Sequence, residues 1–237
     1  MRTNLTKGDI KVKAPKLIFM LTHHDRTVPN ALEVFEEIKD TGIQNVGFKD
    51  VGLPFEELSK LARAINREGL NSFIEVVSES EESCIAAVKQ AVKMGVRNVI
   101  GVKREYAQKA FEYVKGTGIK FYPYVGRVIG IPEVLEGTIE EMIMDAKNFH
   151  RMGVDGINLL AYRYKGDPEE LMKAIISSAK MDVIVAGSID SFERIRKVIM
   201  FGASLYTIGG AIFERKFVPG GSIADQVKAI IEFEKKL

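Results

Sequence analysis

The sequence predicts an α/β protein, a single (β/α)8 TIM barrel with a parallel eight-stranded sheet, on three observations. The chain has 237 residues, close to the roughly 250 of one complete barrel of this kind. Short apolar runs rich in β-branched residues alternate strictly with amphipathic helical patterns, about eight times over, and strict alternation builds a parallel sheet rather than a sandwich. In the last quarter, Asp182–Ser191 and Gly202–Phe213, two successive apolar runs stop at small residues, Ala186-Gly187-Ser188 and Gly209-Gly210. Glycine lets a main chain approach an anion closely, and the loops after strands seven and eight of such barrels frequently hold a phosphate.

In order, the predicted strands are Leu17–His23, Asn45–Lys49, Ser72–Val77, Asn98–Val102, Lys120–Val125, Gly156–Ala161, Asp182–Ala186 and Leu205–Ile208. Each is a short apolar run bounded by polar or small residues. The helices between and after them are Asn30–Asp40, Phe55–Glu68, Ser80–Met94, Glu105–Lys115, Thr138–Met152, Pro168–Ser178, Ser191–Phe201 and Ser222–Lys236. Pro29, Pro54 and Pro168 fall at or near helix starts, where a missing N–H breaks no bond, and glycines such as Gly95 and Gly153 follow helix ends. The helix after the seventh strand shows the pattern well: Phe192, Ile195, Val198 and Ile199 share a face that Glu193, Arg194, Arg196 and Lys197 largely avoid. An open doubly wound sheet is the alternative, but it carries a glycine fingerprint after its first strand, where this chain reads Thr22-His23-His24-Asp25.

Residues 1–237 read as one domain, with 1–15 a polar lead-in that has no apolar stretch of the secretory kind. No apolar run approaches the length of a membrane span. Hydrophobic residues make up 46% and charged residues 28% with a net charge of +2, so neither a nucleic-acid nor a membrane footprint stands out. Cys84, the one cysteine, sits in a helical apolar pattern and reads as a core thiol of a reducing, cytoplasmic compartment. The one long connection, Gly126–Gly137, has the length of a lid or binding loop.

Alternate residues of a barrel strand face the axis and the helices. If Val46 and Phe48 pack outward, Asn45, Gly47 and Lys49 face in; if Ile74 and Val76 pack outward, Phe73, Glu75 and Val77 face in. The same reasoning turns Tyr122 and Tyr124 inward, and Asn158, Leu160 and Tyr162 likewise. Lys103 closes the fourth strand, Arg127 follows the fifth and Arg163 the sixth. Lys49, Glu75, Lys103, Tyr124 and Asn158 thus gather near one end. Isolated buried charges are costly, so they persist only when paired or used. The structural reading is a Lys49–Glu75 ion pair that fills space. The functional reading is a general acid/base pair, or a lysine that forms a Schiff base. His23, His24 and Asp25 end the first strand, where one histidine is expected to meet ligand and the other not. Asp50 is a further candidate acid, or a turn residue near a helix start. Arg127 and Arg163 could clamp a second anionic group, or be surface arginines. Asp25 or Glu75 could join a strand-one histidine as metal ligands, but with His150 on a helix face a multi-histidine site cannot be built across strands, and no metal is expected. No cofactor is expected either.

Val185-Ala-Gly-Ser-Ile189 with Ile208-Gly-Gly-Ala-Ile-Phe-Glu214 resembles the phosphate-binding (β/α)8 superfamily, most of all the histidine-biosynthesis isomerase and cyclase and the N-acylmannosamine-phosphate epimerases. The resemblance is specific over about the last 35 residues and architectural elsewhere. It implies a ligand phosphate held by backbone N–H groups near Gly187, Ser188, Gly209 and Gly210. The histidine-pathway enzymes place catalytic aspartates at the ends of strands one and five. Here strand one offers His24-Asp25, but strand five ends in Tyr124-Val125-Gly126-Arg127 with no acid, which speaks against their ring-opening isomerisation. The Asp-x-Lys-x-x-Asp strand of the phosphosugar decarboxylases is missing too. The expected function is therefore an isomerase or epimerase of a small phosphorylated sugar or related metabolite. A Schiff-base aldolase-type lyase using Lys49 or Lys103, and a non-catalytic phosphometabolite-binding or assembly barrel, are the alternatives. The expected partner is the phosphorylated substrate, and a homo-oligomer is compatible with the sequence.

Overall fold

The structure, a computed structural model, describes residues 14–130 and 132–237, so most of the polar lead-in read over 1–15 lies outside the described residues. The chain begins with β1 (Leu17–Met20), a two-strand turn β2 (Thr22–His23) and β3 (Arg26–Thr27), and α1 (Ala31–Ile38). Strand–helix units follow: β4 (Asn45–Lys49) and α2 (Phe55–Arg67), β5 (Asn71–Glu75) and α3 (Glu81–Met94), β6 (Asn98–Ile100) and α4 (Arg104–Val114). Next come β7 (Lys120–Tyr122), the pair β8 (Arg127–Ile129) and β9 (Val134–Glu136), and α5 (Ile139–Met152). The last third holds β10 (Gly156–Leu159) and α6 (Pro168–Ser178), β11 (Asp182–Val185) and α7 (Phe192–Met200), then β12 (Leu205–Ile208), the short α8 (Gly210–Phe213) and α9 (Ile223–Glu234).

Eight parallel strands pair in the order β10-β11-β12-β1-β4-β5-β6-β7. The ring closes just beyond β7, where Tyr124 bridges Asn158: the Asn158 N–H donates to the Pro123 carbonyl at 2.8 Å and the Val125 N–H to the Asn158 carbonyl at 3.3 Å. That closure excludes the open doubly wound sheet. Alternation along the strands separates two apolar layers. Ile18, Met20, Phe73, Ile100, Tyr122 and Ile184 fill the barrel, while Val46, Phe48, Ile74, Phe121, Ile157 and Leu159 pack against the helices. Gly47 is required inside, since a Cβ there would lie 2.3 Å from the Met20 sulfur. Helix starts are secured by side chains: Ser80, Thr138 and Ser222 form capping boxes, and Asp167 caps α6 ahead of Pro168. Each such cap contributes about 1 kcal/mol. Cys84 is buried among core residues of α3.

Three expectations need correction. The first strand stops at Met20, because the chain turns back at His24-Asp25 and pairs Thr22 with Thr27. The third stops at Glu75, so Val77 does not continue the alternation; its N–H donates to Asp50 Oδ1 at 3.1 Å. The sixth gives way to a 3-10 turn over Ala161–Arg163, which carries Tyr162 away from the axis to lie under the Arg194 guanidinium, 4.7 Å from its ring centre. The long connection, expected as a lid or binding loop, carries a paired hairpin, β8 with β9, anchored by buried Val128 and Leu135 and by a bridge from Leu135 to Tyr164, and it brings Glu133 to the strand ends.

Candidate active site

At the C-terminal ends of the strands lies a cavity of about 340 Å³. Lys49 and Glu75 are the last residues of β4 and β5 and stand opposite each other in register. Both are almost fully buried, and the side-chain ends meet with Lys49 Nζ 3.7 Å from Glu75 Oε2. Two more carboxylates converge on the same ammonium: Asp25 Oδ1 at 3.1 Å and Glu133 Oε2 at 3.5 Å. Arg163 closes the cluster from the β10 side, with Nη1 3.0 Å from Glu133 Oε2 and Nη2 3.5 Å from Asp25 Oδ1. Tyr124 donates its hydroxyl to Glu75 Oε1 at 2.6 Å.

This crowding sets the protonation states. Burial alone would lower the Lys49 pKa, but Glu75, Glu133 and Asp25 together hold it above the ordinary lysine value. Burial pulls Asp25 upward, and Lys49 with Arg163 more than reverses it, leaving Asp25 below its usual range. Glu133 is pushed up, first by burial and then by the charge of Glu75. Tyr124 is raised well above the normal phenol, by burial and by its acceptor Glu75, so it stays a donor. At neutral pH the site therefore offers a permanent ammonium, a hydrogen-bond-oriented Glu75 and a neighbouring glutamate of raised proton affinity.

The opposite wall is backbone. Gly187 (φ +80°) and Ser188 (φ +53°) follow β11, and Gly209 and Gly210 join β12 to α8. Their N–H groups donate to no protein acceptor among the described residues. Gly209 allows a close approach: a Cβ there would lie 2.6 Å from Thr22 Oγ1 and 3.0 Å from the Thr22 carbonyl. Arg163 lies along Gly187, with Nε 3.4 Å from Ser188 Oγ. His24, Asp25 and Ser188, all bordering the cavity, are three of the four non-glycine residues described with positive φ. Strained backbone of this kind, about 1–3 kcal/mol each, gathers at functional sites.

The sequence-predicted residues divide. Lys49, Glu75, His23, His24, Asp25, Arg163, Gly187, Ser188, Gly209 and Gly210 all border this cavity. Both histidines do so because His24 (φ +50°) lies in the turn, where strand alternation no longer applies, and their ring centres lie 3.8 Å apart, tilted by 35°. Tyr124 supports Glu75 from behind. Asp50 stands behind β5, accepting the Val77 N–H, with burial and the nearby Glu75 charge raising its pKa to about 6. Lys103 lies to one side, 3.9 Å from Glu79 Oε1. Asn158 is fully buried deeper in the barrel, its side-chain amide without a protein partner. Arg127 is on the outer face of the hairpin, exposed and paired with Glu136, away from the cavity. It does not clamp a ligand beside Arg163, because the β8–β9 pairing directs it to solvent. Glu133 was not legible: its only signal is an acid beside Pro132 in the one long connection, which also holds Glu136. Among the described residues, no three His, Cys, Asp or Glu side chains are arranged to hold a metal ion; the Lys49 ammonium occupies the centre of the carboxylate cluster.

No family model and no curated protein matches the chain. Many solved structures share its fold. Orotidine 5′-monophosphate decarboxylase from Methanocaldococcus jannaschii matches with a TM-score of 0.69 at 16% identity, over 93% of this chain and 99% of that one. N-acetylmannosamine-6-phosphate 2-epimerase from Clostridium perfringens matches with 0.64 at 14%, over 89% and 93%. A mandelate oxidase matches with 0.63 at 13%, over 98% and 78%. At these identities the likeness is one of fold, the (β/α)8 barrel.

Proposed function

We propose that this barrel is an enzyme that isomerises or epimerises a small phosphorylated sugar or related metabolite by general acid/base chemistry. One observation carries the reading: a buried Lys49–Glu75 pair and a row of undonated backbone N–H groups line the same cavity at the catalytic end of the barrel. The N–H groups of Gly187, Ser188, Gly209 and Gly210 hold the phosphate, as the loops after strands seven and eight do in many barrels. Glu75, oriented by the Tyr124 hydroxyl, takes the proton next to the substrate carbonyl. Lys49 remains an ammonium and stabilises the negative charge that develops on the carbonyl oxygen. The likeness of the strand seven and eight loops to the phosphate-binding superfamily supports the phosphate, and an epimerase of a phosphorylated amino sugar shares the fold.

A Schiff base at Lys49 has to remove a proton that three carboxylates hold in place, which favours the acid/base route. The test is solvent deuterium uptake by NMR across a panel of ketose, aldose and amino-sugar phosphates. Exchange at the carbon next to the carbonyl is expected, with loss of about 10²–10⁴ in rate in Glu75→Gln. Borohydride trapping of a substrate onto Lys49 or Lys103 would instead establish the lyase. Phosphate-dependent binding with no exchange on any member of the panel would mark a binding barrel.

A further inference from the structure

A second cavity, of about 240 Å³, adjoins the first. His24, Asp25, Lys49 and Glu133 form the wall between them and border both. Their far walls differ in chemistry. Beyond the shared wall the first cavity is lined by backbone amides, Arg163, Asp190 and Glu214, the second by Val51, Val76, Val77 and Val128 together with Tyr124, Arg26, Glu79 and Lys103. These valines come from separate parts of the chain: the loop after β4, the segment after β5, and β8 of the hairpin. Gly101 and Gly130 keep the space open; a Cβ on Gly101 would lie 2.7 Å from Glu75 Cγ, and Gly130 has no contact nearer than 3.6 Å to the position of a Cβ. Of the three cations that border it, two are engaged and the third, Arg26, is exposed to solvent. Lys49 is held by its three carboxylates, and Lys103 stands 3.9 Å from Glu79 at the rim.

Valine side chains offer no hydrogen bond, so a hydroxylated group placed against them leaves polar atoms unpaired, whereas each methylene buried there tightens binding about fourfold. The two cavities meet at the Lys49 ammonium. We propose that the substrate is an amphiphilic phosphate: its phosphate sits at the β11 and β12 loops, its reacting carbon beside Lys49 and Glu75, and an uncharged apolar group fills the valine-walled cavity. The space is smaller than the roughly 300–1,000 Å³ that takes a drug-sized ligand, which fits a branched alkyl group or a single ring. This inference rests on the phosphate site proposed above, and it narrows the substrate from sugar phosphates at large to those bearing an apolar substituent.

Calorimetric titration with inorganic phosphate and a series of straight-chain alkyl phosphates, ethyl to octyl, tests it. Affinity should stay near that of phosphate for the shortest chains. Once the chain reaches the valines it should rise about fourfold per methylene. Val77→Phe, filling the cavity from a half-buried position, should return octyl phosphate to the affinity of ethyl phosphate and leave inorganic phosphate unchanged. Val51→Phe, from the opposite loop, should do the same independently. If phosphate binds and the series is flat with length, or rises equally in both variants, the apolar subsite is overturned and the phosphate site stands. If neither phosphate nor any ester binds, the phosphate site fails and this inference fails with it.

Discussion

At the N-terminal mouth of the barrel polar side chains are tied to the backbone and to one another, whereas at the C-terminal mouth the charges are tied mainly to one another and backbone groups are left free. Asn45 donates to the Pro15 and Leu17 carbonyls, Asn71 to Asn45, and Asn98 to the Ser72 carbonyl, while Ser72 accepts from the Arg97 N–H. The three asparagines open β4, β5 and β6 and line a cavity of about 590 Å³, larger than the one at the other end. Size therefore does not mark the site. What marks it is unspent bonding capacity: undonated N–H groups, left-handed turns at His24, Asp25 and Ser188, and five charged groups within contact of each other. One mouth is built for stability and the other at a cost to it.

The contrast is sharpest at Lys49. Replacing it with Met leaves Asp25, Glu75 and Glu133 facing one another, and at neutral pH should destabilise the fold by about 3–5 kcal/mol. Adding Glu75→Gln should recover part of that loss. Urea unfolding of both variants is the measurement; a Lys49→Met protein as stable as the parent would break the comparison.

Asp50 should give a pH signature of nearly the same size. Its folded pKa of about 6 lies above the ordinary 3.8, so the native state holds the proton more tightly than the unfolded chain does. Stability from this group is full below pH 4 and falls as pH rises to about 6, by on the order of 3 kcal/mol. Glu133, also raised, adds to the same slope, while Asp25, lowered, acts with opposite sign below its ordinary value. Asp50→Asn keeps an acceptor for the Val77 N–H and should flatten the decline. An unchanged stability–pH profile would count against burial as the cause.

Next in size is the backbone wall. Phosphate at a hundredfold excess over its Kd should stabilise the protein by about 2.7 kcal/mol. Gly209→Val, whose side chain would press on Thr22, should abolish that increment whatever it does to the unliganded protein. Thermal melts with and without phosphate decide it. At the other mouth, Asn98→Ala should cost only about 1 kcal/mol by removing the side-chain hydrogen bond to the Ser72 carbonyl, and should leave the phosphate increment intact. A lost increment in Asn98→Ala would show that the two mouths are not independent.

Much of this site could be read from the chain because strand alternation is local. Val46 and Phe48 needed the helix layer, which sent Lys49 inward; Ile74 did the same for Glu75. The loops carrying Gly187-Ser188 and Gly209-Gly210 were legible because two apolar runs stop at glycine. Alternation fails where the backbone stops being extended. His23 and His24 share the cavity because a left-handed turn joins them, and Tyr162 leaves the axis in a 3-10 turn. No local pattern announced either.

The order of eight strand–helix units, the inward charges of β4 and β5 and the glycine-ended loops can be read from the chain alone, since each follows from the hydrophobic pattern of neighbouring residues and from where the apolar runs stop. It took the folded barrel to show that Glu133 completes the charge cluster, that Arg127 takes no part in it, and that four scattered valines border one cavity. Those outcomes depend on which hairpin folds over which strand end. Contacts between residues far apart in the chain are fixed by packing and pairing across the closed barrel, and no short stretch of sequence encodes them.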